Sequence, residues 1–220
     1  MLHIFINGVS GKMGKAILEL SQKDKAISVV TDKSSKEIDV VIDFSRPESL
    51  IKNLKEFKTS NIPFVIGTTG FTDDQIKLIK DESLSRPILL SFNMSKGIFT
   101  LKNSIKKFLQ DNSHTLECNI EETHHISKID APSGTAIEIE NLIKKYDSAK
   151  NISSINIDSK RIGDVFGIHK ISFKNEFYEV EFKHEALSRN VFAEGALEIA
   201  KNILIKDVGL YQLEDFFDKK

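Results

Sequence analysis

The chain has 220 residues, with 31 Lys and Arg against 32 Asp and Glu and a net charge of −1. That length suits one large domain or two modest ones, and the charge balance excludes a global basic field that would hold nucleic acid or an anionic membrane. Cys118 is the single cysteine, which excludes an intramolecular disulfide and argues against a thiolate metal cluster.

Met1 to Asn7 reads as a short apolar strand without the charged region and cleavage site of a secretory signal. No apolar run approaches the roughly 20 residues needed to span a bilayer. The expectation is a cytoplasmic protein with neither nucleic acid nor membrane as partner.

In chain order, Leu2 to Asn7, Ala26 to Thr31, Val40 to Phe44, Pro63 to Gly67 and Pro87 to Phe92 are near-continuous apolar runs, as in strands covered on both faces. Between them Lys12 to Gln22, Pro47 to Lys58 and Thr72 to Leu84 have helical spacing, with Pro47 suited to a first turn and Thr72 to a cap. This alternation marks a parallel sheet built from βαβ units. Only a few polar residues, around Ser34 to Glu37, separate the second strand from the third, so no crossover helix fits there.

After Asn93 the pattern changes. A helix is expected over Gly97 to Gln110, a strand over Thr115 to Glu122 and a helix over Ser133 to Tyr146. Ser153 to Ser159, Gly167 to Lys174 and Phe177 to His184 alternate apolar and polar residues, with Lys174-Asn175-Glu176 as a hairpin turn. Arg189 to Ile205 places Val191, Phe192, Ala196, Ile199, Ala200 and Ile203 on one helical face, expected to return to the first domain. The expected architecture is α/β: a Rossmann-like dinucleotide-binding domain with a parallel sheet over 1–94 and 187–220, and a smaller α+β domain over 95–186.

Gly8-Val9-Ser10-Gly11-Lys12-Met13-Gly14 follows the first strand and opens a helix. A pyrophosphate needs a tight turn, close approach of backbone N–H groups and a helix N-terminus facing the anion. Gly8, Gly11 and Gly14 meet that need, although Ser10 stands where a second glycine of G-x-G-x-x-G would fall, and a turn without ligand has the same glycines. Asp32, near the end of the second strand, lies where a carboxylate meets the adenosine ribose and favours NADH. Lys33 beside it suits the extra phosphate of NADPH, so the choice of cofactor stays open, and both residues also suit a solvated turn. Gly67-Thr68-Thr69 and Ser91-Phe92-Asn93-Met94 leave carboxyl ends of strands, where they orient a nicotinamide or serve as ordinary caps.

The densest chemistry runs from Glu121 to Ala136. His124 moves protons near neutral pH and Lys128 donates a proton or holds an anion. Ser133, Gly134 and Thr135 open a helix whose N–H groups and hydroxyls suit a carboxylate. Metal is disfavoured, because His124 and His125 point to opposite faces of a strand and no third ligand is suitably spaced.

The stretch E-x-H-H-x-x-K-x-D-A-P-S-G-T-A is similar to the signature of the 4-hydroxy-tetrahydrodipicolinate reductases, and the other motifs follow in that family's order over nearly the whole chain. The resemblance implies reduction of a small cyclic dicarboxylate imine by NADH or NADPH in diaminopimelate and lysine synthesis. It assigns His124 and Lys128 to proton transfer, His125, Ser133, Gly134 and Thr135 to substrate, and Gly8 to Met13, Asp32, Lys33, Gly67 to Thr69 and Ser91 to Met94 to the cofactor. It also implies a homotetramer assembled through the second domain. The chain departs from the family on the adenine side, in its short segment between Asp32 and Val40; Arg189 and Gly195 sit in a helix start that fits either the family's or a structural role. Two alternatives share the glycine turn: a nucleotide sensor without turnover and another two-domain dehydrogenase. The sensor has no need for His124 and Lys128 together, and the His124-His125-Ile126-Ser127-Lys128 and Ala131-Pro132-Ser133-Gly134-Thr135 segments disfavour the other dehydrogenase.

Overall fold

The computed structural model describes residues 1–57 and 60–217. Its first elements are β1 (Leu2–Asn7), α1 (Lys12–Lys23), β2 (Ile27–Val30), β3 (Val40–Asp43), α2 (Pro47–Glu56), β4 (Phe64–Ile66), α3 (Asp73–Glu82) and β5 (Pro87–Leu90). Then come α4 (Lys96–Asp111), β6 (Leu116–His124), α5 (Gly134–Tyr146), β7 (Ile152–Arg161), β8 (Ile168–Lys174) and β9 (Glu179–Glu185). The chain ends with α6 (Asn190–Ile203), β10 (Gly209–Tyr211) and α7 (Glu214–Phe217). Contacts divide it into two units, Met1–Ser95 with Arg189–Lys220, and Lys96–Ser188.

In the first unit six parallel strands run in the order β10-β5-β4-β3-β1-β2. Val40 to Ile42 and Phe64 to Ile66 are wholly buried, as strands covered on both faces must be. On one face Val41, Phe64, Ile66 and Ile88 form a core with Leu50, Leu54 and Phe57 of the α2 segment and Ile79 of α3. On the other, α6 packs against β3, β4 and β5 and runs beside α1. Each fully buried aliphatic side chain contributes roughly 1.5–3 kcal/mol, so both faces hold the sheet. Pro47 lies in the first turn of α2. Thr72 caps α3 through a reciprocal pair with Gln75: the Gln75 N–H donates to Thr72 Oγ1 at 3.3 Å and the Thr72 N–H to Gln75 Oε1 at 2.9 Å.

The passage from β2 to β3 contains only turns, as its length requires. Several boundaries differ from expectation. Lys58, the expected end of α2, lies outside the described residues. β10 and α7 carry no periodicity that predicts them: three residues, Gly209–Tyr211, extend the sheet by pairing with β5. The expected turn at Lys174 to Glu176 is longer, because Asn175 accepts from the Phe177 and Tyr178 N–H groups and β9 begins only at Glu179.

The second unit has a mixed sheet in the order β7-β6-β8-β9. β6, α5 and β7 make a parallel crossover, and β8 and β9 join antiparallel. Alternate residues of β6 point inward, so Leu116, Cys118 and Ile120 pack with Leu101 and Ile105 of α4 and Ile139 and Ile143 of α5. Burial pushes the Cys118 thiol up to about 12, so it is inert at neutral pH. The same inward row continues past Ile120 with two polar members, Glu122 and His124, both buried.

Candidate active site

The candidate cofactor residues all belong to the first unit, and the candidate substrate residues to the second. Gly8 follows β1, Asp32 follows β2, Gly67 follows β4 and Ser91 follows β5. In a parallel sheet these carboxyl ends share one edge, the edge at which open α/β sheets bind ligands.

At Gly8 the chain turns with φ +83, and a Cβ there would lie 2.5 Å from the Phe44 carbonyl oxygen. A Cβ on Gly14 would lie 2.2 Å from the Gly8 carbonyl oxygen, so the turn closes tightly on the first turn of α1. Gly11 is the N-cap without a side-chain cap, and the first turn of α1 carries no acidic residue. Its first N–H groups have no intrahelical acceptor. This glycine cradle fits a dinucleotide pyrophosphate at the N-terminus of α1.

Asp32 and Lys33 are less open than their sequence suggests. Asp32 is exposed and accepts from the Ser34 N–H at 2.9 Å and its hydroxyl at 2.7 Å, bonds that hold the carboxyl below the usual range. Lys33 forms an ion pair with Glu56 at 2.5 Å. On the other side of the sheet, Thr68 is buried and donates to Asp43 at 2.6 Å. Ser91 donates to the Asn93 carbonyl at 2.9 Å and accepts from the Asn93 N–H at 3.3 Å, which fixes that loop. Met94 is buried, and its carbonyl meets α6 at Gly195, where a Cβ would stand 1.8 Å from the oxygen. Gly195 therefore admits α6 to the Ser91–Met94 loop; Arg189 is the N-cap of that helix.

In the second unit His124 Nδ1 is hydrogen-bonded to Glu122 Oε2. Glu122 is wholly buried and also accepts from Arg161 at 2.9 Å and from the Ser133 N–H at 3.2 Å. Burial pushes this carboxyl up, but bonds from Arg161, Ser159 and His124 outweigh it and leave the group ionised below its ordinary value. For His124, burial pushes the imidazole down and the Glu122 charge partly restores it. Lys128 and Arg161 push it down further, so the Lys128 charge is felt at the imidazole.

Lys128 is held by Asp130 at 2.8 Å and is largely sheltered. His125 turns away from the buried row, with Ser127 Oγ 2.9 Å from its Nδ1. Ser133 caps α5 by accepting from the Ala136 N–H at 3.2 Å, and Gly134 and buried Thr135 open the helix behind it. Among the described residues no group of three His, Cys, Asp or Glu is arranged to hold a metal ion.

Glu122, Arg161 and His169 were not among the residues assigned from sequence. Strand register brings them in: Arg161 pairs with His124 across β7, and His169 pairs with Glu122 across β8. The His124 and His169 rings meet edge to face at 5.1 Å, and His169 Nε2 lies 3.3 Å from Ser133 Oγ. The one sequence signal was the inward row itself, which ends in Glu-x-His instead of further aliphatics.

Comparisons with known proteins agree along the chain. Residues 22–94 match the family model described as Dihydrodipicolinate reductase, N-terminus, and residues 97–217 that described as Dihydrodipicolinate reductase, C-terminus. The 4-hydroxy-tetrahydrodipicolinate reductase of Alkaliphilus oremlandii is 36% identical over 241 aligned positions, covering 99% of each chain. Those 241 positions exceed the 220 residues here, so that relative carries segments this chain lacks. The enzyme of the same name from Thermosipho africanus is 36% identical over 216 positions, 94% of each chain, so brevity is shared within the group. A solved dipicolinate-bound dihydrodipicolinate reductase from Paenisporosarcina sp. TG-14 has the same fold, with a TM-score of 0.74 at 21% identity over 99% of this chain and 100% of that one. Both halves of the sequence, its relatives over full length and its two-unit architecture thus converge: the chain belongs to the dihydrodipicolinate reductase family.

Proposed function

We propose that this chain is an oxidoreductase that uses NADH or NADPH to reduce 4-hydroxy-tetrahydrodipicolinate, through the cyclic imine left by loss of water, to tetrahydrodipicolinate in diaminopimelate and lysine synthesis. The name and full-length similarity of its relatives support the activity. The buried Glu122–His124 pair beside the N-terminus of α5 is the observation that supports the chemistry.

The first unit's Gly8–Met13 turn would hold the pyrophosphate, Asp32 and Lys33 the adenosine ribose, and the Gly67–Thr69 and Ser91–Met94 loops the nicotinamide side. A reduced nicotinamide supplies a hydride when bound. Asp32 favours the 2′-hydroxyl of NADH, while Lys33 serves the extra phosphate of NADPH only by leaving Glu56. Surface pairs of this kind contribute about 0–1 kcal/mol, so both nucleotides are substrates in this reading.

In the second unit the N–H groups at Gly134 and Thr135, with the Ser133 and Thr135 hydroxyls and His125, would receive the substrate carboxylates. Lys128 Nζ holds a proton for transfer or pairs with a carboxylate. Glu122 occupies His124 Nδ1, which leaves Nε2 as the atom that delivers or collects a proton. No step calls for a metal. A homotetramer in the cytoplasm is the expected setting; no helix among the described residues is long and apolar enough to cross a membrane.

The test is oxidation of NADH and NADPH by the purified chain, followed at 340 nm, with enzymatically generated substrate. Substrate-dependent oxidation of either is expected. Nucleotide binding without turnover would favour a sensor instead.

A further inference from the structure

The buried carboxylate of Asp43 has no part in the mechanism above, yet it sits among the cofactor loops. It ends β3 and is wholly buried. Asp43 Oδ2 accepts from Asn7 Nδ2, the residue before Gly8, at 2.5 Å. Asp43 Oδ1 accepts from the hydroxyl of Thr68 at 2.6 Å, from that of Ser45 at 2.9 Å and from the Ser45 N–H at 3.1 Å. One side chain therefore ties the ends of β1, β3 and β4.

The next residue fills the space between the two outer loops. The Phe44 N–H donates to the Asn7 carbonyl at 3.1 Å, and the Phe44 carbonyl oxygen occupies the place of a Gly8 side chain. The Phe44 ring occupies that of Gly67, where a Cβ would lie 2.2 Å from Cε1. The Gly67 N–H donates to the Asp43 carbonyl at 2.9 Å. Both glycine loops are thus moulded on the segment that Asp43 anchors.

We propose that Asp43 is a positioning residue for the dinucleotide, setting the Gly8 turn and the Gly67–Thr69 loop in register so that the pyrophosphate and nicotinamide sides of one cofactor are met together. This rests on the reading of the first unit as the cofactor holder. Asp43 does not touch the cofactor; it acts through Asn7, Thr68 and Phe44.

The donor and acceptor pattern supplies the test. Asp43→Asn, with its oxygen kept toward Thr68 and Ser45, sets one amide N–H₂ against that of Asn7. Asn7→Asp sets carboxylate against carboxylate. The double exchange, Asn7→Asp with Asp43→Asn, restores one donor and one acceptor. NADH and NADPH are titrated by nicotinamide fluorescence at a temperature where circular dichroism shows each variant folded. Each single substitution leaves a buried polar clash and is expected to raise Kd about tenfold, with the double exchange within about threefold of wild type. Should Asp43→Asn not fold, Asn7→Asp and the double exchange carry the same comparison.

Single variants that melt earlier but bind with unchanged Kd would show a merely structural carboxylate and overturn the proposal. So would a double exchange no tighter than the singles. A wild-type chain that binds neither nucleotide would instead overturn the functional reading on which the proposal stands.

Discussion

His124 and Glu122 stand two residues apart on the inward face of β6, with imidazole Nδ1 bonded to carboxylate oxygen. The buried carboxylate faces Arg161 and the Ser133 N–H as well, while the imidazole also faces Lys128 and the His169 ring. Burial, Lys128 and Arg161 disfavour imidazolium, and the Glu122 carboxylate favours it.

Glu122→Gln keeps the shape and removes that charge. The His124 pKa then falls further, and the protonated fraction is lost at a lower pH. If protonated His124 is the donor, the descending limb of kcat/KM against pH moves toward acid and turnover at pH 7.5 drops about tenfold or more. A pH profile superimposable on wild type would remove Glu122 from the reaction.

His169 predicts how stability depends on acid. Burial, reinforced by His124, holds its imidazole down to about 3, whereas the unfolded chain protonates it near 6.5. Between those values the unfolded state binds the extra proton, so stability falls as pH is lowered from about 6.5 toward 3, by up to about 1.4 kcal/mol per pH unit. In His169→Gln this contribution disappears. Urea midpoints measured from pH 7 to 4 should be flatter for the variant; equal slopes would contradict a buried neutral histidine.

Gly195→Ala places a methyl group 1.8 Å from the Met94 carbonyl oxygen, against backbone that cannot rotate away. The helix must shift, at a cost of about 3 kcal/mol or more, the upper end for overpacking. The same shift displaces the Ser91–Met94 loop. Chemical denaturation should show the loss of stability and NADH titration a weaker Kd; wild-type values for both would mean that α6 sits farther off.

Much of the first unit was legible because its strands are buried on both faces, so that Val40 to Ile42 or Phe64 to Ile66 read as unbroken apolar runs. β10 was not, since an edge strand of three residues buries too little to leave a pattern. The His124, Lys128 and Ser133 cluster was visible as chemistry crowded before a helix. Its supports were hidden, because Arg161 and His169 lie 39 and 47 residues from Glu122 and reach it only through the pairing of β6 with β7 and β8. Asp43 falls inside the apolar run Val40 to Phe44, where a carboxylate gives no sign of which loops it joins. Asp32 and Lys33 read equally as a ribose-facing pair or a solvated turn, and their partners, Ser34 and Glu56, were not legible because they depend on a local turn and on where α2 ends.

In the proposed function, His124 and Lys128 transfer protons during turnover and do not hold the cofactor. Single-turnover and steady-state rates of His124→Ala and Lys128→Ala, measured beside NADH and NADPH dissociation constants, test it most directly. In each variant kcat is expected to fall about 10²-fold or more, with Kd for the nucleotides unchanged. Near-normal turnover in both variants would contradict it.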